Sequence, residues 1–497
     1  MATHVFDKAG STAMRLAKIA VVMIICTVAV STAGAVELTV YPAPPGAPMA
    51  KDFTVTVSGQ AVPVYDSKVA AFGYFSFGGG AVVTVVPTRD FKRVDIRPKS
   101  KNIAYSIKNK AITFTLDRPC NLSIELDGDI KKPLFLFANP FEQLKPEPTD
   151  PNVLYFEAGK IHEAGEIKVG SGQTVYIAGG AIVRGRIRAD GAENVRILGR
   201  GILDGSHRNY KTQMVKLSDC SDVVMRGIIV LNSYGWTVVP VKSDKVTIYN
   251  LKIVGWRDND DGIDIVGCQN MRISNSFIRT KDDCIAVKAS PAYFQEGKSG
   301  MRDVINVSVT DSVLWNAESG NAMEIGFELQ TNSISDIIFK NCDIIHVERG
   351  GTFTIHNGDY ATVERIRFQD IRVEDSREKL IELRVGLSIY SADCPTEFHR
   401  QNPNRKPSPH GQWVVPTMPA LYAKKRGQIR HIYFKDIQVF GKLPPSYLVG
   451  YDDEHTVEKV VVENMRFNGM RVWDEKRGNF TLDKAKNVLF IGSGGTR

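Results

Sequence analysis

The stretch Val246-Thr-Ile-Tyr-Asn250, answered one interval later by Met271-Arg-Ile-Ser-Asn275, decides how the chain is read. Each string is an apolar residue, any residue, an apolar residue, any residue, and then a turn former. The unit recurs at Val195/Ile197/Gly199, Val223/Met225/Gly227, Val307/Val309/Asp311, Ile337/Phe339/Asn341, Ile366/Phe368/Asp370, Ile432/Phe434/Asp436 and Val460/Val462/Asn464, and closes at Val488/Phe490. First positions stand 28, 23, 25, 36, 30, 29, 66, 28 and 28 residues apart. Apolar positions of period two are strands with one buried face. Their return at about one coil's length means rung stacked on rung. The spacing predicts a right-handed parallel β-helix. Its long open groove suits a linear polymer better than a compact metabolite, and the insertions Ala289 to Asp303 and Ser376 to Gln428 are expected to rim it. A leucine-rich horseshoe or a propeller fits less well, for the leucine consensus, the Trp-Asp dipeptide and a constant period are missing.

Working outward, residues 149–497 form the β-helix, entered through Lys145-Pro-Glu-Pro-Thr-Asp-Pro151, whose three prolines deny the backbone regular pairing. Before it, residues 36–148 alternate short β-rich runs with turn signals, as in Phe53-Thr-Val-Thr-Val-Ser, Ala81-Val-Val-Thr-Val-Val and Ala111-Ile-Thr-Phe-Thr-Leu. That pitch describes a β-sandwich, so the fold class is all-β: an N-terminal β-sandwich domain followed by the helix. Residues 1–35 read as a signal peptide, with Lys8, Arg15 and Lys18 ahead of an apolar run from Ile19 to Val30 and small residues at Ala33-Gly34-Ala35. At about 12 residues the run is too short to span a bilayer. A secreted or periplasmic protein is expected, with no membrane contact once the signal is cleaved. Acylation at Cys26 is disfavoured, as Met23-Ile-Ile lacks small residues.

Among 497 residues, 43% are hydrophobic and 24% charged, ordinary values for a globular chain. The net charge of +8 mildly favours an anionic partner, without a basic run to focus it. The cysteines form no CxxC or zinc-like cluster, and Cys268, Cys284 and Cys342 read as buried small hydrophobes. No nucleic-acid motif appears. Gly78-Gly-Gly and Gly179-Gly180 lack the strand-to-helix setting of a phosphate loop.

The chemistry concentrates in Gly255 to Lys288, GWRDNDDGIDIVGCQNMRISNSFIRTKDDCIAVK. Asp261 and the pair Asp282-Asp283 lie about one repeat apart, so stacking brings them to neighbouring rungs about 4.8 Å apart. Cleaving a glycosidic bond takes one carboxylic acid to protonate the leaving oxygen and a carboxylate to activate water or attack carbon. Like-charge crowding in such a trio keeps at least one member protonated. Adjacent Asp282 and Asp283 would point to opposite faces of a flat strand, so the chain must bend there. A plain solvated turn or a calcium loop is the alternative for Asp258, Asp260, Asp261 and Asp264. The calcium spacing fails, with Gln269 where an EF-hand needs Glu. No metal and no cofactor are expected.

At these residues, Asn259-Asp-Asp261-Gly-Ile-Asp264 and Asp282-Asp283-Cys-Ile-Ala-Val-Lys288 resemble the Asn-Thr-Asp-Gly-Ile-Asp and Asp-Asp-Cys-Ile-Ala motifs of glycoside hydrolase family 28, the polygalacturonases, with Asp260 in the threonine position. Asn232-Ser-Tyr-Gly-Trp236 is similar to that family's Asn-Ser-Pro-x-Trp/Phe segment. The resemblance implies an inverting glycosidase with Asp282 as general acid and Asp261 plus Asp283 holding the water. The chain departs from the family at Gly320-Asn321-Ala322, where the family has Gly-His-Gly. It departs again at Thr354-Ile355-His356, where the family's Arg-Ile-Lys reads a substrate carboxylate. The sandwich ahead of the helix, with Glu125-Leu-Asp-Gly-Asp-Ile-Lys-Lys-Pro-Leu-Phe-Leu-Phe-Ala-Asn-Pro140 near the junction, resembles instead family 49, the dextranases and isopullulanases of the same clan.

Substrate contacts are expected from Asn259 and from Tyr234, Trp236 and Trp256, whose faces stack on sugars. Arg257, Lys281 and Lys288 would orient hydroxyls or tune the carboxylates, and Asn321, Glu324 and His356 would line the groove further along. Asn250, Asn275 and Asn341 are expected as a ladder inside the coils. The partner is a polysaccharide. A polysaccharide lyase or a non-catalytic glycan-binding β-helix stand as alternatives, separated by the absorbance of an unsaturated product and by loss of hydrolysis in Asp282→Asn.

Overall fold

The computed structural model describes residues 37–207, 209–290, 301–394 and 420–492. The expected signal segment, and residues 291–300 and 395–419 of the two insertions, lie outside them. From Val153–Phe156 to Ala485–Ile491 the strands belong to one sheet of 31, paired almost throughout in parallel between successive coils. This is the right-handed parallel β-helix that the repeat predicts.

Three strands make most coils, and the repeat unit is one of them. Met271 pairs with Val307, which pairs with Ile337, then Ile366, Ile432 and Val460, so equivalent repeat positions stack in register. The turn former closing each unit has a backbone reason. Asn250, Asn275, Asp311, Asn341, Asp370, Asp436 and Asn464 all have φ between 50° and 55°, a left-handed conformation that Asn and Asp tolerate best among residues with a Cβ. That geometry corrects the expected asparagine ladder inside the coils. Asn275 and Asn341 are exposed, and Asn250 points out of its coil to donate to Asn139 Oδ1 at 3.0 Å.

The interior holds aliphatic columns and one aromatic column. Phe339, Phe368 and Phe434 stack on successive coils with centroids 5.1 and 5.0 Å apart and planes within 8°. Cys220, Cys268, Cys284 and Cys342 are buried free thiols, as their apolar settings imply.

Ahead of the helix, a six-stranded and a five-stranded sheet enclose a core that includes Val55, Phe75, Val83, Phe114 and Leu136. The strands Ala71–Gly78 and Asp129–Asn139 explain why sequence alternation is lost there: both faces are covered. Their second face presents Phe72, Tyr74, Phe135 and Phe137 to Val254, Phe277 and Trp315 of the coils. Around this apolar seam Glu125 accepts from Arg97 Nε at 3.0 Å and meets His346 Nε2 at 2.9 Å. The proline-rich stretch lies between the last sandwich strand and Val153.

The aromatic column supplies a stability test. Phe368→Ala removes the middle ring of the stack, an expected loss of about 3–5 kcal/mol, read as a clear fall in Tm. Arg367→Ala, next in sequence but exposed, is expected to stay within about 0.5 kcal/mol.

Candidate active site

The strands Val238–Val241, Ile263–Val266, Ile285–Ala289, Met323–Leu329, Gly351–Asn357 and Lys379–Val385 lie in register on six consecutive coils. The turns entering them carry the acidic residues. The Thr237 amide donates to Asp261 O at 2.8 Å, the Gly262 amide to Asp283 O at 2.8 Å, and the Cys284 amide to Asn321 O at 2.9 Å. Asp261, Asp283 and Asn321 thus stand one above another.

Residues 281–284 form the bend that the adjacent aspartates require. It is pinned from below by Asp260, which has no exposed surface. Asp260 Oδ1 accepts the amides of Lys281 at 2.7 Å and Asp282 at 3.2 Å, and Oδ2 accepts that of Arg257 at 3.0 Å. From above, Asn316 Nδ2 donates to Asp282 O at 2.8 Å. So held, Asp282 turns out of the strand line, and Asp261, Asp282 and Asp283 each place a carboxylate oxygen within 4.8 Å of the others.

Asp261 and Asp283 are buried, at 2% and 7% exposure, whereas Asp282 is half-buried. Burial raises the carboxyls of all three, and charge crowding from Asp264 and Asp282 on Asp261, and from Asp282 on Asp283, adds to it. Lys288 opposes both effects. Its ammonium lies 3.6 Å from Asp261 Oδ2, 3.7 Å from Asp264 Oδ1 and 4.5 Å from the Trp236 ring centre. Burial would discharge it, but Glu328, Asp261, Asp264 and Asp283 outweigh that and hold it well above the ordinary lysine value. Asp261 Oδ1 and both oxygens of Asp264 are buried without a hydrogen-bond donor. The trio offers oxygens that a divalent cation could take, with the ammonium already supplying positive charge beside them.

The other sequence-assigned residues divide. Asn321 touches the trio: its amide N and Nδ2 donate to Asp283 Oδ1 at 2.6 and 3.3 Å. Trp256 donates from Nε1 to Asn232 Oδ1 at 2.7 Å. Arg257 lies on Tyr234, 4.3 Å from the ring centre, so that face is taken. Asn259, exposed, accepts from Lys211, and Lys281 turns outward to Asp258 at 2.7 Å and Glu318 at 3.4 Å. Glu324 and His356 are buried at 0% and 4% and contact each other, so they back the site and do not line an open groove. Asp260 was visible only as a departure from a motif, for its backbone contacts are set by the next coil. Asp264, one strand position below Ala286, was quoted in the motif without a role.

Residues 168–383 match the sequence profile of Glycosyl hydrolases family 28. A probable endopolygalacturonase D of Neosartorya fischeri is 22% identical over 205 residues, 40% of this chain and 35% of that protein. A probable exopolygalacturonase B of the same fungus is 22% identical over 315 residues, 59% of this chain and 60% of that protein. The chain therefore spans about a third to three-fifths of these curated relatives. Among solved structures, Dex49A from Penicillium minioluteum superposes with TM-score 0.60 at 14% identity, over 90% of this chain and 96% of that one. The sequence match supports the resemblance to family 28 over residues 168–383, and the superposition shows that Dex49A shares the fold.

Gly255 and Asp260 provide the test of how the bend is held. A Cβ on Gly255 would stand 2.3 Å from Asp260 Oδ2, and Asp260→Asn would turn an acceptor into a donor facing an amide. Each change is expected to cost about 1–3 kcal/mol. The double variant is expected to lose less than the sum, because both dismantle the same contact; Tm values of the four proteins check it.

Proposed function

We propose that this chain, with a family 28 match over residues 168–383, is a glycoside hydrolase that cleaves a polysaccharide by inversion. Asp282 acts as general acid, and Asp261 with Asp283 binds and deprotonates the water. The observation that carries this is the trio itself, three carboxylates within 4.8 Å of one another beside the Lys288 ammonium. Its members differ in access. Asp282 is the most accessible and can reach the leaving oxygen, while burial raises its carboxyl and, more strongly, those of Asp261 and Asp283. Asp261 and Asp283 lie deeper, on neighbouring coils, as a pair of carboxylates that can flank one water. Separations near 5 Å are equally those of retaining enzymes. The inverting reading rests on the third carboxylate, which gives the water two acceptors.

The surrounding charges support a neutral sugar. Lys281 is engaged by Asp258 and Glu318, Lys288 by Asp261 and Asp264, and His356 by Glu324 and Glu382. A uronate placed here would meet three carboxylates with these cations already committed, and buried like charges repel strongly. The apolar run Ile19 to Val30 supports export of the enzyme to where polymers are met.

Asp282→Asn is expected to lower kcat by about 10²–10⁴-fold while a glycan still binds. Unimpaired hydrolysis by that variant would contradict the assignment. Proton NMR of the first product formed is expected to show the anomer opposite to the substrate bond, and retained configuration would remove the water-binding pair. In a panel of dextran, pullulan, polygalacturonate and sulfated algal glycans, new reducing ends are expected from a neutral member. Release from polygalacturonate alone would overturn the substrate class.

A further inference from the structure

A row of buried charges runs away from Asp283 across the next three coils. The residues facing the interior there are apolar and stack in register: Met323, Phe353 and Ile381, then Ile325, Ile355 and Leu383. The alternate positions are polar. Glu324 pairs with Thr354 and Thr354 with Glu382, while Gly326 pairs with His356 and His356 with Arg384. Asn321 Nδ2 donates to Glu324 Oε2 at 3.0 Å as well as to Asp283 Oδ1, and Asn321 Oδ1 accepts the Gly351 amide at 2.8 Å. With its oxygen committed to a backbone N–H, the side-chain amide has one orientation, nitrogen toward the two carboxylates.

Beyond it, Glu324 Oε1 meets His356 Nδ1 at 2.9 Å and Thr354 Oγ1 donates to Oε2. His356 Nε2 faces Glu382 Oε2 at 3.3 Å. Glu382 is closed off by Lys379 Nζ and by Arg384 Nε at 3.1 Å. Phe327 covers the imidazole, ring centres 4.3 Å apart and planes within 3°.

We propose that Glu324, His356 and Glu382 are a positioning set for the reaction: acting through the Asn321 amide, they hold Asp283 as the ionised partner of the attacking water. The inference rests on the functional reading above. A buried row of ions stabilises a fold weakly, since desolvation offsets attraction, and apolar residues would stack these coils as well. What the row supplies is a second donor, Asn321 Nδ2 at 3.3 Å, on the oxygen of Asp283 that also accepts the Asn321 backbone N–H at 2.6 Å. It also supplies a positive charge against Glu324, whose own charge would push Asp283 toward protonation. Burial works against the His356 imidazolium, but Glu324 and Glu382 outweigh it and carry its pKa to about 9. Glu382 is correspondingly held well below the usual carboxylate range, its burial outweighed by His356, Lys379 and Arg384. Asp283 is faced besides by Asp282 in its own turn, Asp261 and Asp264 on the coil before, and Lys288.

The test is the acidic limb of kcat/KM against pH, which reports ionisation of the base in the free enzyme. His356→Gln leaves Glu324 uncompensated, so the limb is expected to move up by about one pH unit. Glu324→Gln removes the like charge, so its limb is expected to move down while kcat falls. The double variant returns the limb toward the parent value. Limbs that stay in place, or move together, in proteins whose Tm shows them folded would overturn the proposal; where one variant does not fold, the other alone decides. Asp282→Asn read beside them separates the two readings. If it stays active the site assignment itself fails, whereas an inactive Asp282→Asn with unmoved limbs defeats only the positioning set.

Discussion

Backbone hydrogen bonds between consecutive coils are the constraint from which the site follows. Thr237 to Asp261, Gly262 to Asp283, Cys284 to Asn321 and Ala322 to Gly351 form one ladder, with N···O distances of 2.8 to 3.0 Å. A strand that slipped by one residue would exchange its two faces. Here a slip would turn Ile263 and Ile285 outward and drive Asp264 into the core. Burial of the apolar columns therefore enforces the register that gathers residues distant in number. The aspartates need no local motif to meet; they need only the rungs beneath them to stay aligned.

Concentrating carboxylates this way is unfavourable, and the surrounding residues show how the fold manages it. Lys288 stands between Asp261 and Asp264, Asp260 spreads its charge over three amides, and the Asn321 amide ties Asp283 to the charge row behind it. None of these contacts is the cheapest way to stack a coil. They hold in place a cluster whose carboxyls are raised from their ordinary values by burial and crowding, the kind of displacement that acid–base chemistry exploits.

Much of this was legible in the chain. Val246-Thr-Ile-Tyr-Asn250 and its repeats announce both the strands and the left-handed turn after each, because period-two burial and a positive φ leave direct marks on residue choice. The bend at Asp282-Asp283 follows from two adjacent carboxylates needing one side of a strand. Less legible was what depends on the neighbouring coil. Asp260 looks like a surface turn residue until the amides of Lys281 and Asp282 are set above it, and Asn275 and Asn341 share a repeat position with Asn250 for backbone reasons, not as an internal ladder. Glu324 and His356 were placed on the right face, two and three coils along from Asp261. Their burial was hidden because Phe327, Thr354 and Glu382 come from other rungs.

A crystal structure of Asp282→Asn holding a neutral oligosaccharide would show whether the three carboxylates are where the sugar is cut. The scissile oxygen is expected within about 3 Å of the residue 282 side chain, with a water held between Asp261 and Asp283 on the far side of the sugar ring. A glycan bound away from the three residues, or a trio pulled apart when sugar is present, would contradict it.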